Sequence, residues 1–225
     1  MSDEPFGDYP IRVEKAHLLL VEGKDEVVFF GALLRHMSID VFQILDLAGK
    51  DRLPRMFPAV YRQLDRLRVY AIIRDAEISL ENTFKSILSV LKTHGEPCPR
   101  TNRAFASKPG FPRKVGVFVL PGDSDHGMLE DLCLCTVEDH PAMPCVSAFM
   151  DCIGKALPRK PPEVAVSESR PYYPKNPSKA TAMAFLAAMH EEVHRVGEAA
   201  EKHYWDFEHS RLAALRDFLR EMASF

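Results

Sequence analysis

The sequence predicts an α/β fold: a mainly parallel, four-stranded sheet flanked by helices, with a C-terminal helical extension. Three observations carry this. Four short apolar runs, 18–21, 41–45, 69–73 and 115–120, recur along the first half of the chain, largely without the polar alternation of a half-exposed strand. The segments between them place apolar residues at helical spacing. Clusters of acids stand just past three of the four runs, where open α/β sheets hold their ligands.

The first run, Leu18-Leu19-Leu20-Val21, passes straight into Glu22-Gly23, and Val27, Val28, Phe29, Ala32, Leu33 and Leu34 then recur with a helical period. Glu22 therefore sits where a strand ends and a helix begins, and Gly23 permits a sharp turn. Glu26 lies one helical turn on, so the two carboxylates can face one point. Asp25 and Glu26 also suit a helix N-terminus on dipole grounds alone, whereas Glu22 has no capping duty. The second strand, Val41 to Leu45, exits through Asp46 to Lys50. A helical segment reaches about Leu67, with Pro54 and Pro58 near its start. Its arginines, Arg52, Arg55, Arg62, Arg66 and Arg68, read either as a solvated face or as a phosphate-facing edge.

The third strand, Val69 to Ile73, closes on Arg74-Asp75-Ala76-Glu77. In extended backbone, residues two apart share a face, so Asp75 and Glu77 would present paired oxygen ligands suited to Mg²⁺ or Mn²⁺. Asp75 could equally cap the helix expected over 79–92. The Pro-rich stretch 96–113 reads as a mobile surface loop. The fourth strand, Val115 to Leu120, empties into Pro121-Gly122-Asp123-Ser124-Asp125-His126-Gly127, where Asp123 and Asp125 suit a turn. Glu130 and Asp131 then fall in a first helical turn facing the same crevice. Helices are expected over 142–157, over 178–189 with Ser178 as N-cap and Lys179 in the first turn, and over about 208–222. Between them, 158–177 is a basic, Pro-rich linker or a loop over the site, with Tyr172 and Tyr173 in it. The domain reading is a metal-binding core over 1–157 and an extension over 158–225 packed on the same domain.

A chain of 225 residues can bury a full core, and 46% hydrophobic with 27% charged residues is ordinary globular composition. The net charge of −3 supplies no overall basic field, so any nucleic-acid contact must come from local patches. The acidic start, MSDEPFGDYP, is neither a secretory signal nor a transit peptide, and no apolar run approaches a membrane span. Five cysteines, an odd number without metal spacing, point to free thiols in a reducing cytoplasm.

One motif competes. His190-Glu191-Glu192-Val193-His194 matches H-E-x-x-H, and Gly197 falls where the extended zinc-protease signature wants glycine, but Ala200 stands in the third histidine's place. Zinc hydrolysis through His190, Glu191 and His194 is the third reading, behind solvated charges on a helix.

VEGKDE at 21–26, IIRDAE at 72–77 and LPGDSDHGMLEDL at 120–132 together resemble a Toprim domain, the metal-binding fold of topoisomerases, primases and overcoming-lysogenization-defect (OLD) nucleases. Nearly the whole chain is similar to a group of stand-alone, Toprim-like bacterial proteins. The resemblance implies that Glu22 is the general acid/base or a metal ligand, and that Glu26 is the second acid OLD-type nucleases add. It pairs Asp75 and Glu77 with the D-x-D motif, and Glu130 and Asp131 with the later acidic motif. Lys179 or Lys202 would be the late lysine. Two departures stand out: glutamate replaces the second acid of D-x-D, and the family's proline-aspartate turn reads Pro121-Gly122, moving that aspartate to Asp123 at best. The implied activity is Mg²⁺- or Mn²⁺-dependent phosphodiester hydrolysis of nucleic acid, DNA ahead of RNA. No tyrosine suits strand transfer. The alternative is a non-catalytic metal- or nucleotide-binding module working with a partner such as an ATPase in phage defence. Either leaves room for an oligomer and none for a membrane.

Overall fold

The computed structural model describes residues 12–49, 52–122, 124–159 and 171–225. Lys50, Asp123 and most of the basic, Pro-rich stretch 158–177 lie outside them. The first apolar run is strand β1 (His17–Val21), followed by helix α1 (Lys24–His36), strand β2 (Phe42–Asp46), α2 (Leu53–Tyr61), β3 (Val69–Asp75) and α3 (Leu80–Thr93). Then come β4 (Ala104–Ala106), β5 (Lys114–Leu120), α4 (Leu129–Cys135), α5 (Met143–Ala156), α6 (Pro177–Ala187), α7 (Val196–Glu201) and α8 (Ala213–Ala223). The sheet has five strands in the order β2-β1-β3-β5-β4. All neighbours are parallel except β4, which runs antiparallel along β5 with Phe105 opposite Gly116.

Both faces of the sheet are covered, which explains why its strands read as unbroken apolar runs. Leu19 and Val21 of β1, with Val69, Ala71 and Ile73 of β3, join the core beneath α1, α4, α6, α7 and α8. Leu18 and Leu20, with Tyr70 and Ile72, join the core beneath α2 and α3. Residues after position 171 thus supply part of one core face, including Phe185, Trp205, Leu215 and Phe218.

Two elements were not legible. β4 is three residues long and lies inside the expected mobile loop. That loop is pinned: Glu96 and Arg113 are buried, and the Arg113 guanidinium donates to both Glu96 oxygens at 3.0 and 2.5 Å while the Tyr70 hydroxyl donates to one of them at 3.0 Å. The expectation of a mobile loop fails because a buried carboxylate needs these partners to remain in the core. Helix α7 is too short to show a period. Gly197 in it is a packing glycine: a Cβ there would lie 2.5 Å from the Asp25 carbonyl oxygen of α1, and its N–H donates to the Asp25 carboxylate at 2.7 Å. Two caps also differ from expectation. Ser79 caps α3, accepting from the Asn82 N–H at 3.2 Å, and Asn176 caps α6, accepting from the Lys179 N–H at 3.0 Å. Asp75 and Ser178 are thereby left for other work. All five cysteines are free thiols, and among the described residues no helix is long and apolar enough to cross a membrane.

Candidate functional site

The chain leaves β1 toward β2 on one side, while β3 pairs on the other, so the carboxyl ends of β1 and β3 flank a switch point in strand order. Glu22 follows β1 directly, and Asp75 is the last residue of β3. Helices α1 and α4 both start at this edge and bring Glu26 and Glu130 in their first turns. Strand alternation puts Asp75 on the α1 and α4 side, with Ala71 and Ile73, and Arg74 on the opposite side with Tyr70 and Ile72. Glu22 precedes α1 instead of belonging to it, since the helix begins at Lys24 after an extended Gly23. The acids therefore straddle the edge of the sheet.

Four of them share one electrostatic neighbourhood. Asp75 is 8% exposed, and burial, then the charges of Glu22, Glu26 and Glu130, push its carboxyl well above the usual range, against one N–H from Leu129 at 3.0 Å. Burial likewise raises Glu26, with Glu22, Asp25 and Glu130 adding to it while its own backbone N–H opposes. Burial raises Glu22 too; the Arg74 guanidinium pulls back, and Glu77 pushes up again. Lys179 approaches Glu130 at 3.4 Å. Partial burial would lower the Lys179 ammonium, but Glu130, Asp75 and Glu26 outweigh it and hold it above its ordinary value. Three carboxyls raised together and one lysine held charged describe a site with more negative charge than its own cations offset.

The remaining candidates are placed elsewhere or differently. Glu77 does not continue the strand. Its φ is +53°, and its backbone exchanges two hydrogen bonds with Gly127 at 2.8 and 2.9 Å, so the shared face expected for Asp75 and Glu77 is lost, although the Glu77 charge still reaches Glu22. Asp131 is structural in its contacts: one oxygen accepts from the Met128 N–H at 2.8 Å and the other from the Ser178 hydroxyl at 2.5 Å. Lys202 pairs with Glu191 at the surface, away from the acids. His190 to His194 is a loop between α6 and α7, so its two histidines have no common helical face and the metalloprotease arrangement is absent. Its ion pairs join Glu191 to Lys202, and His194 to Glu192 at 3.2 Å. A cleft of about 590 Å³ holds none of the acids; it lies at the far ends of α1 and α4, among His36, His140 and Trp205.

Arg74 is the residue that sequence reasoning passed over. It is 9% exposed, and its Nε lies 3.6 Å from Glu22 Oε2, beyond a hydrogen bond. Both of these buried atoms lack a hydrogen-bond partner. Its position one before the strand-end acid was the available signal, and strand alternation hid it by pointing to the core.

The donor set fits a hard divalent cation: all oxygen, carboxylate-rich, mutually repelling, with an orphaned buried oxygen on Glu22. As placed, no three His, Cys, Asp or Glu side chains among the described residues stand close enough to hold one ion. The fit is therefore one of charge and donor chemistry.

Fold and site together define an α/β protein with an acid-lined switch point at the carboxyl edge of a mainly parallel sheet. The chain belongs to the family described as "Protein of unknown function (DUF3226)", which matches residues 16–224. Two solved structures of the C-terminal region of the Xanthomonas campestris pv. campestris OLD protein are similar to it at 13% identity. One, phased with mercury, covers 93% of this chain and 97% of its own with a TM-score of 0.43. The other, phased with platinum, covers 92% and 97% with a TM-score of 0.35. No curated protein matches the chain.

Proposed function

We propose that the protein is a Toprim-like, Mg²⁺- or Mn²⁺-dependent phosphodiesterase acting on nucleic acid, DNA ahead of RNA. The observation that carries this reading is the convergence of Glu22, Glu26, Asp75 and Glu130 on one sheet edge, with Asp75 buried among the other three charges. The motif resemblance at the same residues supports it. Glu26, Asp75 and Glu130 would hold metal, and Glu22 would hold metal or move a proton. When bound, a divalent cation would supply charge neutralisation at the attacking and leaving oxygens. Lys179, already drawn to Glu130, is the candidate for the late lysine and would stabilise negative charge developing on the phosphoryl group. The rearranged Glu77 and the capping role of Asp131 leave these two as supporting residues.

The test is Mn²⁺ binding by calorimetry together with nicking of supercoiled plasmid, wild type beside Asp75→Ala. The expected outcome is loss of both in the variant, with the far-ultraviolet circular dichroism unchanged. A second reading, a non-catalytic module that works with a partner protein, is favoured by the two resident cations: Arg74 beside Glu22 and Lys179 beside Glu130 already offset part of the charge. That reading predicts Mn²⁺ binding without nicking, at any metal concentration.

A further inference from the structure

We propose that the exposed side of α2 and the turn after it, with Arg55, Arg62 and Arg66, is a track for the phosphate backbone of a nucleic-acid strand, leading to the acid edge of the sheet. The inference rests on the nucleic-acid reading above and names the surface that holds the substrate; it does not depend on the metal. The chain as a whole is weakly acidic, at −3, but its charge is unevenly divided. Positions 52–114 carry thirteen lysines and arginines against five aspartates and glutamates, so the remainder is acidic. Helices α2 and α3 both belong to this basic segment and cover one face of the sheet, while α1 and the helices from α4 onward cover the other. The basic segment is densest over 52–68, with five arginines and one acid, and that acid, Asp65, lies 3.5 Å from the Arg113 guanidinium.

Helical period separates the two sides of α2. Leu53, Phe57 and Val60 are buried, and Arg55 and Arg62, seven residues apart, share the exposed side about 10 Å apart along the axis. Arg66 follows, also exposed, in the single 3₁₀ turn 64–66. None of these three makes an ion pair among the described residues, whereas Arg35, Arg113 and Arg220 each meet an acid. The track begins at the site. The Gly49 N–H donates to the Glu22 carbonyl at 2.8 Å and the Arg52 N–H to the Gly49 carbonyl at 3.1 Å, so α2 starts two hydrogen bonds from the strand-end acid. The acids by themselves repel a phosphodiester, and a row of unneutralised arginines beside them supplies the attraction that brings a strand to that edge. Arginine suits the task because its planar fork matches phosphate oxygens. The same side of α2 otherwise presents Pro54, Pro58 and Tyr61, without the wide apolar face of a helix that lies in a membrane.

The test is fluorescence anisotropy of a labelled oligodeoxythymidine with the full chain in EDTA, at salt from about 50 to 200 mM. Wild type is compared with Arg55→Gln/Arg62→Gln and with Lys155→Gln/Arg195→Gln, which removes the same charge from exposed positions on the other side of the molecule. The α2 variant is expected to bind about tenfold more weakly at the lowest salt, and the slope of log affinity against log salt to shrink by about 1.4, the value for two lost phosphate contacts on a single strand. The control should stay within about twofold of wild type. Arg55→Lys/Arg62→Lys, which keeps the charge, should retain most of the affinity, and matching melting temperatures guard against misfolding. Equal losses in the α2 variant and the control, or no loss in either, overturn the proposal and leave the substrate reading standing. Wild type that binds phosphatidylserine vesicles and not the oligonucleotide overturns it in favour of a membrane surface. Nicking of plasmid with Mn²⁺ by a wild type that does not bind the oligonucleotide in EDTA overturns the track alone. Binding through α2 without nicking upholds the track and removes the phosphodiesterase reading, and neither binding nor nicking removes both.

Discussion

Asp75 concentrates the chemistry of the site into one side chain. It holds its proton more tightly folded than unfolded, because burial and three neighbouring acids disfavour its charge. Its contribution to stability is therefore most favourable below its unfolded value of about 3.9 and is lost as pH rises through the elevated folded value. Metal-free protein should accordingly lose thermal stability as pH climbs from the acid range toward neutrality. Asp75→Asn keeps the acceptor for the Leu129 N–H and removes the charge. At pH 7.5 without metal it should melt at higher temperature than wild type, while Mn²⁺ binding disappears. A melting temperature below wild type would show that the carboxylate is already well compensated. Asp131 predicts the opposite pattern. Asp131→Ala removes the cap on α4 and the tie to Ser178, so it should cost about 1–2 kcal/mol in urea unfolding and leave Mn²⁺ affinity within twofold. A collapse of Mn²⁺ affinity in a folded Asp131→Ala would return this residue to the ligand set.

Helices α1 and α4 matter as elements because their first turns deliver Glu26 and Glu130 to the ends of the strands. The position of α1 depends in turn on α7, a helix of only six residues. Their contact is backbone on backbone at Gly197, where any side chain meets the Asp25 carbonyl and carboxylate. Gly197→Ala should therefore destabilise by about 1–3 kcal/mol and weaken Mn²⁺ binding through displacement of Glu26. Full stability by denaturant titration would mean that the two helices separate without cost. The segment His190 to His194 illustrates the reverse case. Its sequence matches a chemical motif, but the motif works only on a helix, and α6 ends at Ala187. His194→Ala should change neither zinc content after purification nor melting temperature; stoichiometric zinc lost in the variant would restore the hydrolase reading.

For the whole molecule, both faces of the sheet must be sealed if the acids are to sit at low dielectric. One face is closed by α2 and α3, with the Glu96–Arg113 pair and Tyr70 buried beneath. Arg113→Met strands a buried carboxylate and should cost about 3–5 kcal/mol in chemical unfolding; a loss under 1 kcal/mol would mean that water reaches Glu96 freely. The strand runs, the mainly parallel sheet, the strand-end positions of Glu22 and Asp75 and the helix-start position of Glu130 were readable in the chain, because burial on both faces leaves unbroken apolar runs and because a strand's end is marked where those runs stop. Capping, short elements and pairing were not. Whether Asp131 caps a helix or faces the crevice depends on Ser178, 47 residues away. Whether Glu77 follows Asp75 onto one face depends on Gly127, and which lysine meets the acids depends on where α6 docks. The sequence by itself determined the class of fold and the set of acids near its edge, through periodicity and local chemistry. Tertiary structure alone decided which charges meet, leaving Arg74 beside Glu22 and Lys179 beside Glu130, because those meetings are set by packing between segments far apart in the chain.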